Sequence, residues 1–188
     1  MESLIRCPWP GQDPLYQAYH DNEWGKPMHD ERALFELLVL EGFQSGLSWI
    51  TVLRKREQFR NAFENFDYQS LANWPDEALK IQEENQLIIR NRLKIQAVRT
   101  NAQAFIRIQE NFGSFDRFIW DFVTQKPIQN HFAAHEEIPA STELSVRMSK
   151  ELKKRGFSFV GPTICYSFMQ AAGLVNDHIK SCFCYPTK

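Results

Sequence analysis

Two cysteines and two histidines give the first chemical signal. Cys7 and His20 stand near the start of the chain with twelve residues between them, and His178 and Cys182 near its end with three between. A histidine and a cysteine four positions apart share one face of a helix, or meet around a turn, as one edge of a tetrahedral zinc site requires. Most of the sequence separates the two halves, which fits no finger pattern. The same residues also read as two capped or buried histidines and two ordinary buried thiols. If a zinc ion is bound, four protein ligands leave no position for a water nucleophile, so its role is structural and it staples the two termini together. Asp21 and Asp177 each follow or precede a histidine, either to orient a ligand imidazole or as loop carboxylates at the surface. Cys165 and Cys184 receive no partner.

The second signal is a carboxylate among aromatic rings: Trp9, Tyr16, Tyr19 and Trp24, then Glu41 and Trp49. Taken singly, each aromatic reads as core packing. Glu41, however, directly follows the apolar run Leu37 to Leu40 and precedes Gly42, which puts its side chain at the end of a helix near the buried face. A buried carboxylate needs donors or a cation. A flat cationic ligand supplies both, since ring faces attract positive charge and the carboxylate accepts hydrogen bonds from the ligand's edge. An alkylated purine is such a ligand. Between Glu41 and Trp49 lies Gln44-Ser45-Gly46-Leu47, where glycine permits close approach of the backbone and Leu47 offers an apolar wedge for a base stack.

These residues must be positioned by helices. Asp30 caps a helix carrying Leu34, Phe35, Leu37 and Leu38, which Gly42 and Gly46 interrupt, and a second helix runs from about Ser48 through Phe63. Pro75 opens another, Ile95, Val98, Ala102 and Phe105 recur at helical spacing, and Ser114 caps a short one. Gln125 to Pro139 reads as a crossing loop, Ser141 to Arg155 as a helix ending at Gly156, and the segment after Gly161-Pro162 as a last helix up to Gly173. Alternating strand patterns are nearly absent, and Phe157 to Val160 reads as an extended connector. The expectation is an all-α protein, residues 1–188 forming one domain.

Composition narrows the class. With 22 Lys and Arg against 23 Asp and Glu, the net charge of −1 gives no global basic field, so any nucleic-acid contact rests on local clusters. Arg54-Lys55-Arg56 and Lys153-Lys154-Arg155 are two such clusters, each equally readable as a solvated helix face. Met1 to Cys7 holds no apolar core of signal-peptide length, and Glu36 interrupts the stretch Ala33 to Leu40. A cytoplasmic monomer with reduced thiols, making no membrane contact, is expected. Disorder is expected only in the last few residues.

The metal set, the pocket and the wedge together resemble the 3-methyladenine DNA glycosylase I family over nearly the whole chain. The resemblance runs through Asp13-Pro14-Leu15-Tyr16, Tyr19 to Gly25, Leu40-Glu41-Gly42, Gly46 to Leu53, Lys154-Arg155-Gly156-Phe157, and Phe159 through His178. It implies a helix-hairpin-helix glycosylase fold with zinc held by Cys7, His20, His178 and Cys182. It further implies that Glu41 hydrogen-bonds a flipped base, that Trp9, Tyr19 and Trp49 line the pocket, and that Gln44, Gly46 and Leu47 meet the DNA where the base has left. Alkylated double-stranded DNA would be the substrate and free 3-methyladenine a product. The catalytic aspartate of many helix-hairpin-helix relatives is absent by the same resemblance, leaving Glu41 as the principal polar group.

The chain departs from the family at its hairpin, where Gln86 to Lys94 contains no glycine. Arg90, Arg92 and Lys94 offer charge to a phosphate there, or are ordinary surface positions. Two other classes compete with the glycosylase: a damaged-DNA recognition module without bond cleavage, and a zinc hydrolase, which needs an open metal position.

Overall fold

A computed structural model describes residues 4–186. Residues 1–3, the first of the polar N-terminal stretch, and 187–188, at the end where disorder is expected, lie outside the described residues. The α-helices in chain order are α1 (Pro14–Asn22), α2 (Glu31–Gln44), α3 (Trp49–Leu53), α4 (Arg56–Ala62), α5 (Tyr68–Leu71), α6 (Asp76–Glu84), α7 (Arg92–Phe112), α8 (Phe115–Trp120), α9 (Glu143–Lys154) and α10 (Pro162–Ala171). The mostly helical expectation holds, with one small addition. Two-residue strands β1 (Ile128–Gln129) and β2 (Val175–Asn176) pair in parallel, Ile128 beside Val175.

α2 is the axis of the fold. Asp30 accepts a hydrogen bond from the Ala33 amide at 2.8 Å and starts it, and the run from Leu37 to Phe43 is buried on every side. A helix apolar all round must be enclosed, and α2 packs against α3, α7, α8 and α10. Gly42 does not interrupt it, contrary to expectation: the helix continues to Gln44. Instead, a Cβ at Gly42 would lie 3.3 Å from the Phe159 Cβ, so the small residue lets the Phe157 to Val160 connector lie against the helix. The expected helix from Ser48 to Phe63 is two helices, α3 and α4, parted at Lys55 (φ −106°, ψ 6°). No glycine or proline marks that break. Lys55 instead donates to the Leu87 carbonyl at 2.8 Å, a tertiary contact invisible to local propensity.

α7 carries the other half of the core. Asn91 caps it by accepting from the Lys94 amide, and α5, α6 and α8 pack along it. The Gln125 to Pro139 segment is largely irregular, as expected, and crosses the molecule. Its β1 strand pairs with β2, and Asn130 donates to Asp177 at 2.7 Å.

Gly173, just past α10, has φ +72°, and a Cβ there would sit 2.3 Å from the Lys26 carbonyl carbon. Gly173→Ala therefore combines backbone strain with a backbone clash. It is expected to cost more than about 3 kcal/mol and to lower the thermal midpoint by roughly 6 to 12 °C. A melt matching wild type contradicts this reading of the junction.

Candidate functional site: a Cys/His cluster behind an aromatic pocket

The chain ends meet where the spacing suggested. Cys7, His20, His178 and Cys182 are all buried, and their donor atoms lie within 4.8 Å of one another. Cys182 Sγ is 3.5 Å from His20 Nε2 and 3.5 Å from His178 Nδ1, and Cys7 Sγ is 3.6 Å from His178 Nδ1. Zinc–sulfur and zinc–nitrogen bonds of ordinary length at a tetrahedral angle would separate S and N by ~3.5 Å. The donor set therefore fits a tetrahedral metal ion.

Each imidazole is fixed through its other nitrogen. His20 Nδ1 donates to Asp21 at 2.7 Å, and Arg6 holds that carboxylate in turn, with the Arg6 guanidinium keeping Asp21 below the usual carboxylate range. His178 Nε2 donates to the Trp24 carbonyl at 3.1 Å. Such partners orient metal-bound histidines. Contact between the two thiols pushes Cys182 down and Cys7 up, so one thiolate forms readily and a cation would be needed to hold the second. Gly25 (φ +76°) fits here because a Cβ would lie 3.2 Å from the His178 ring.

Asp177 corrects one expectation. It neither orients His178 nor sits at the surface. It is fully buried and accepts from Asn130, Tyr166 (2.6 Å) and Gln170 (2.8 Å), tying the crossing loop to α10.

The cluster backs onto a cavity of about 260 Å³ lined by Trp9, Tyr16, Tyr19, Trp24, Glu41, Gln44 and Trp49, with His135, Ile138, Ser167 and Gln170 completing the wall. The rings form one connected set: Trp9 lies 4.7 Å from Tyr16 and 5.1 Å from Trp24, and Tyr19 lies 5.4 Å from Trp49. Trp24 and Trp9 also touch His178 and His20, at 4.7 and 5.2 Å. The metal-type cluster thus holds the rear wall of the cavity. α1 is held in place by Arg54 bonding Asp13 and by Arg56 clasping Glu23, so the two arginines of that basic cluster are spent on internal ion pairs and Lys55 on the Leu87 carbonyl.

Glu41 is the one carboxylate among the described lining residues and is 2% exposed. Burial alone pushes its carboxyl up to about 8. Its Oε2 finds no protein partner, and neither do Trp9 Nε1, Trp49 Nε1 and Gln44 Oε1. Only one further buried side-chain atom, on Gln58, shares that condition among the described residues. Buried polar atoms are normally paired, so two unpaired donors and two unpaired acceptors around one cavity suit the edge of a flat polar ligand. Beside the cavity, Gly46 (φ +82°) and the exposed Leu47 form a turn closed by the Leu47 amide on the Gln44 carbonyl.

Four lining residues escaped the sequence reading: His135 and Ile138 on the crossing loop, and Ser167 and Gln170 on α10. Lys94 was misplaced. It is buried and bonds the Phe43 and Ser45 carbonyls rather than facing solvent or phosphate. Arg155 of the second basic cluster pairs with Glu151 and lies over Phe112 and Phe118.

Fold and site together define a helical protein with a cavity walled by aromatic rings and one buried carboxyl group, a lining suited to a flat, hydrogen-bonding ring. Comparison with known proteins agrees with that class. A profile of the methyladenine glycosylase family matches residues 9–185. The chain is 53% identical to DNA-3-methyladenine glycosylase 1 of Escherichia coli (strain K12) over 183 residues, 97% of this chain and 98% of that protein. It is 48% identical to a DNA-3-methyladenine glycosylase of Haemophilus influenzae, covering 95% of this chain and 97% of that one. A crystal structure of 3-methyladenine DNA glycosylase I superposes with a TM-score of 0.94 at 54% identity, covering 97% of this chain and 100% of that chain. The Staphylococcus aureus enzyme, solved for the basis of 3-methyladenine recognition, gives 0.94 at 35% identity, with 97% of each chain covered. The chain belongs to the methyladenine glycosylase family.

Proposed function

We propose that this chain hydrolyses the N-glycosidic bond of 3-methyladenine in alkylated double-stranded DNA, releasing the free base and leaving an abasic site. The observation that carries this is the set of orphan polar atoms on Trp9, Glu41, Gln44 and Trp49 around one aromatic cavity. Close relatives named for the same activity support it.

Methylation at N3 makes adenine a cation in DNA, so the departing base is neutral and needs no protonation. The C1′–N9 bond breaks with its electron pair going to the base, and a water oxygen bonds C1′ and loses a proton. What the protein must supply is selective capture. Flipping costs a few kcal/mol, least for a poorly pairing base, and stacking and edge hydrogen bonds offset it. Trp9, Tyr19 and Trp49 are the stacking surfaces. Glu41 accepts from the base edge, and the cationic base favours its ionised form despite burial. Unmodified adenine brings no such charge. Glu41 acts in recognition and electrostatic stabilisation, and catalysis comes from binding the cationic state.

Gln44, Gly46 and Leu47 fill the place the base vacates. α6, the 85–91 connector and α7 are the helix-hairpin-helix unit, with Arg90 an exposed charge on the connector now that Lys94 is internal. Zinc at Cys7, His20, His178 and Cys182 would tie the chain ends together and keep Trp9 and Trp24 in place. The whole chain acts as one domain, as a cytoplasmic monomer. Among the described residues no helix is long and apolar enough to cross a membrane.

The test is chromatography of the supernatant after incubation with methylated duplex. Free 3-methyladenine should appear while 7-methylguanine stays in the DNA. Binding without release contradicts the proposal and leaves a recognition module.

A further inference from the structure

Lys94 is the third residue of α7, yet its side chain turns inward, with the residue 7% exposed. Its ammonium donates to the Phe43 carbonyl at 2.8 Å and the Ser45 carbonyl at 2.6 Å, and lies 5.9 Å from the centre of the Phe159 ring. Those carbonyls belong to the last turn of α2 and the residue just after it. A helix end leaves carbonyls without partners and carries negative partial charge, which a lysine head complements. Ser45 is the cap of this helix, at φ −48° and ψ 115°, and Gly46 (φ +82°) turns the chain towards Leu47. The turn from Gln44 to Leu47 is thus tied to the fold from below by one side chain. That side chain opens the helix that follows the 85–91 connector, and Lys55 binds the connector itself through the Leu87 carbonyl.

We propose that Lys94 is a positioning residue that locks the Gln44–Leu47 turn in register with the 85–91 connector. DNA held at the connector then presents its emptied base position to Gln44 and Leu47. This rests on the proposed reading of that turn as the gap-filling wedge. Lys94 touches neither base nor sugar and acts through Leu47.

The test is a double-mutant cycle of Lys94→Met, which keeps the length and removes the donors, with Leu47→Ala. Two quantities are read: single-turnover release of 3-methyladenine from methylated duplex, and affinity for free 3-methyladenine by tryptophan fluorescence. Lys94→Met should release base on the order of tenfold more slowly, bind free base within about twofold of wild type, and add less than about twofold to the Leu47→Ala defect. Unchanged release overturns the proposal. So does a loss of free-base affinity matching the loss of release, or a defect that multiplies with Leu47→Ala, since each is the mark of general structural damage. If Lys94→Met does not fold, Lys94→Leu, which also removes the donors, enters the same cycle under the same criteria. A wild type that binds free base and releases none from DNA contradicts the function proposed above instead.

Discussion

Glu41→Gln should make the protein more stable at pH 8 than wild type. The Glu41 carboxyl, raised by burial to about 8, keeps a proton in the folded chain that the unfolded chain gives up near its ordinary value of 4.5. Where the folded state binds the extra proton, stability falls as pH rises. Wild type therefore carries no penalty from this group below pH ~4.5, loses stability progressively from there to about 8, and loses no more above. Raising a pKa by one is worth about 1.4 kcal/mol between the two protonation states. Glutamine has no such titration, though its amide is also imperfectly paired. A gain on the order of 3 kcal/mol at pH 8, or roughly 6 to 12 °C in midpoint, is expected, shrinking to nothing by pH 4. Melts of the two proteins from pH 4 to 9 check it. Superimposable midpoints across that range would mean that the pocket stabilises the ionised carboxylate without a ligand.

Cys182→Ser should have the opposite effect. Its sulfur is the donor that approaches both histidines, and the cluster joins the segment carrying Trp9 to the chain's end. Losing a buried structural metal costs several kcal/mol, so the midpoint should fall by more than about 10 °C and bound zinc, measured by atomic absorption, should fall from one per chain to none. Chelation of the wild type separates a structural ion from a catalytic one. The four donors are 0 to 4% exposed as whole residues, so a chelator must wait for the ends to open. Activity should survive minutes in chelator and decline over hours together with the melting temperature. Immediate loss with an unchanged melt would place the metal in the chemistry.

How much of this is readable from the chain differs residue by residue. Cys7, His20, His178 and Cys182 were legible because ligand chemistry restricts both residue type and local spacing, and Glu41 because a carboxylate ending an apolar run has nowhere polar to go. Asp21 fell where adjacency to His20 placed it, whereas Asp177, just past β2, did not, since adjacency cannot say which way a side chain faces. Lys94 shows the larger limit. Nothing in an amphipathic first turn reveals that the carbonyls of another helix end lie opposite. His135, Ile138, Ser167 and Gln170 reach the cavity from segments whose local pattern is irregular or simply helical, so tertiary placement alone made them wall residues. The break at Lys55 has the same origin, and Gly42, a helix breaker by local propensity, was needed for contact with Phe159.

The central claim is that a buried carboxyl among aromatic rings captures the cationic base. The most direct test is single-turnover release of 3-methyladenine from one methylated duplex by wild type and by Glu41→Gln, each confirmed folded by its melt. A loss of at least about a hundredfold in the more stable variant, with wild type releasing 3-methyladenine readily, is the predicted result. Equal rates would show that the pocket works through shape and stacking alone, and would contradict a role for Glu41 in capturing the base.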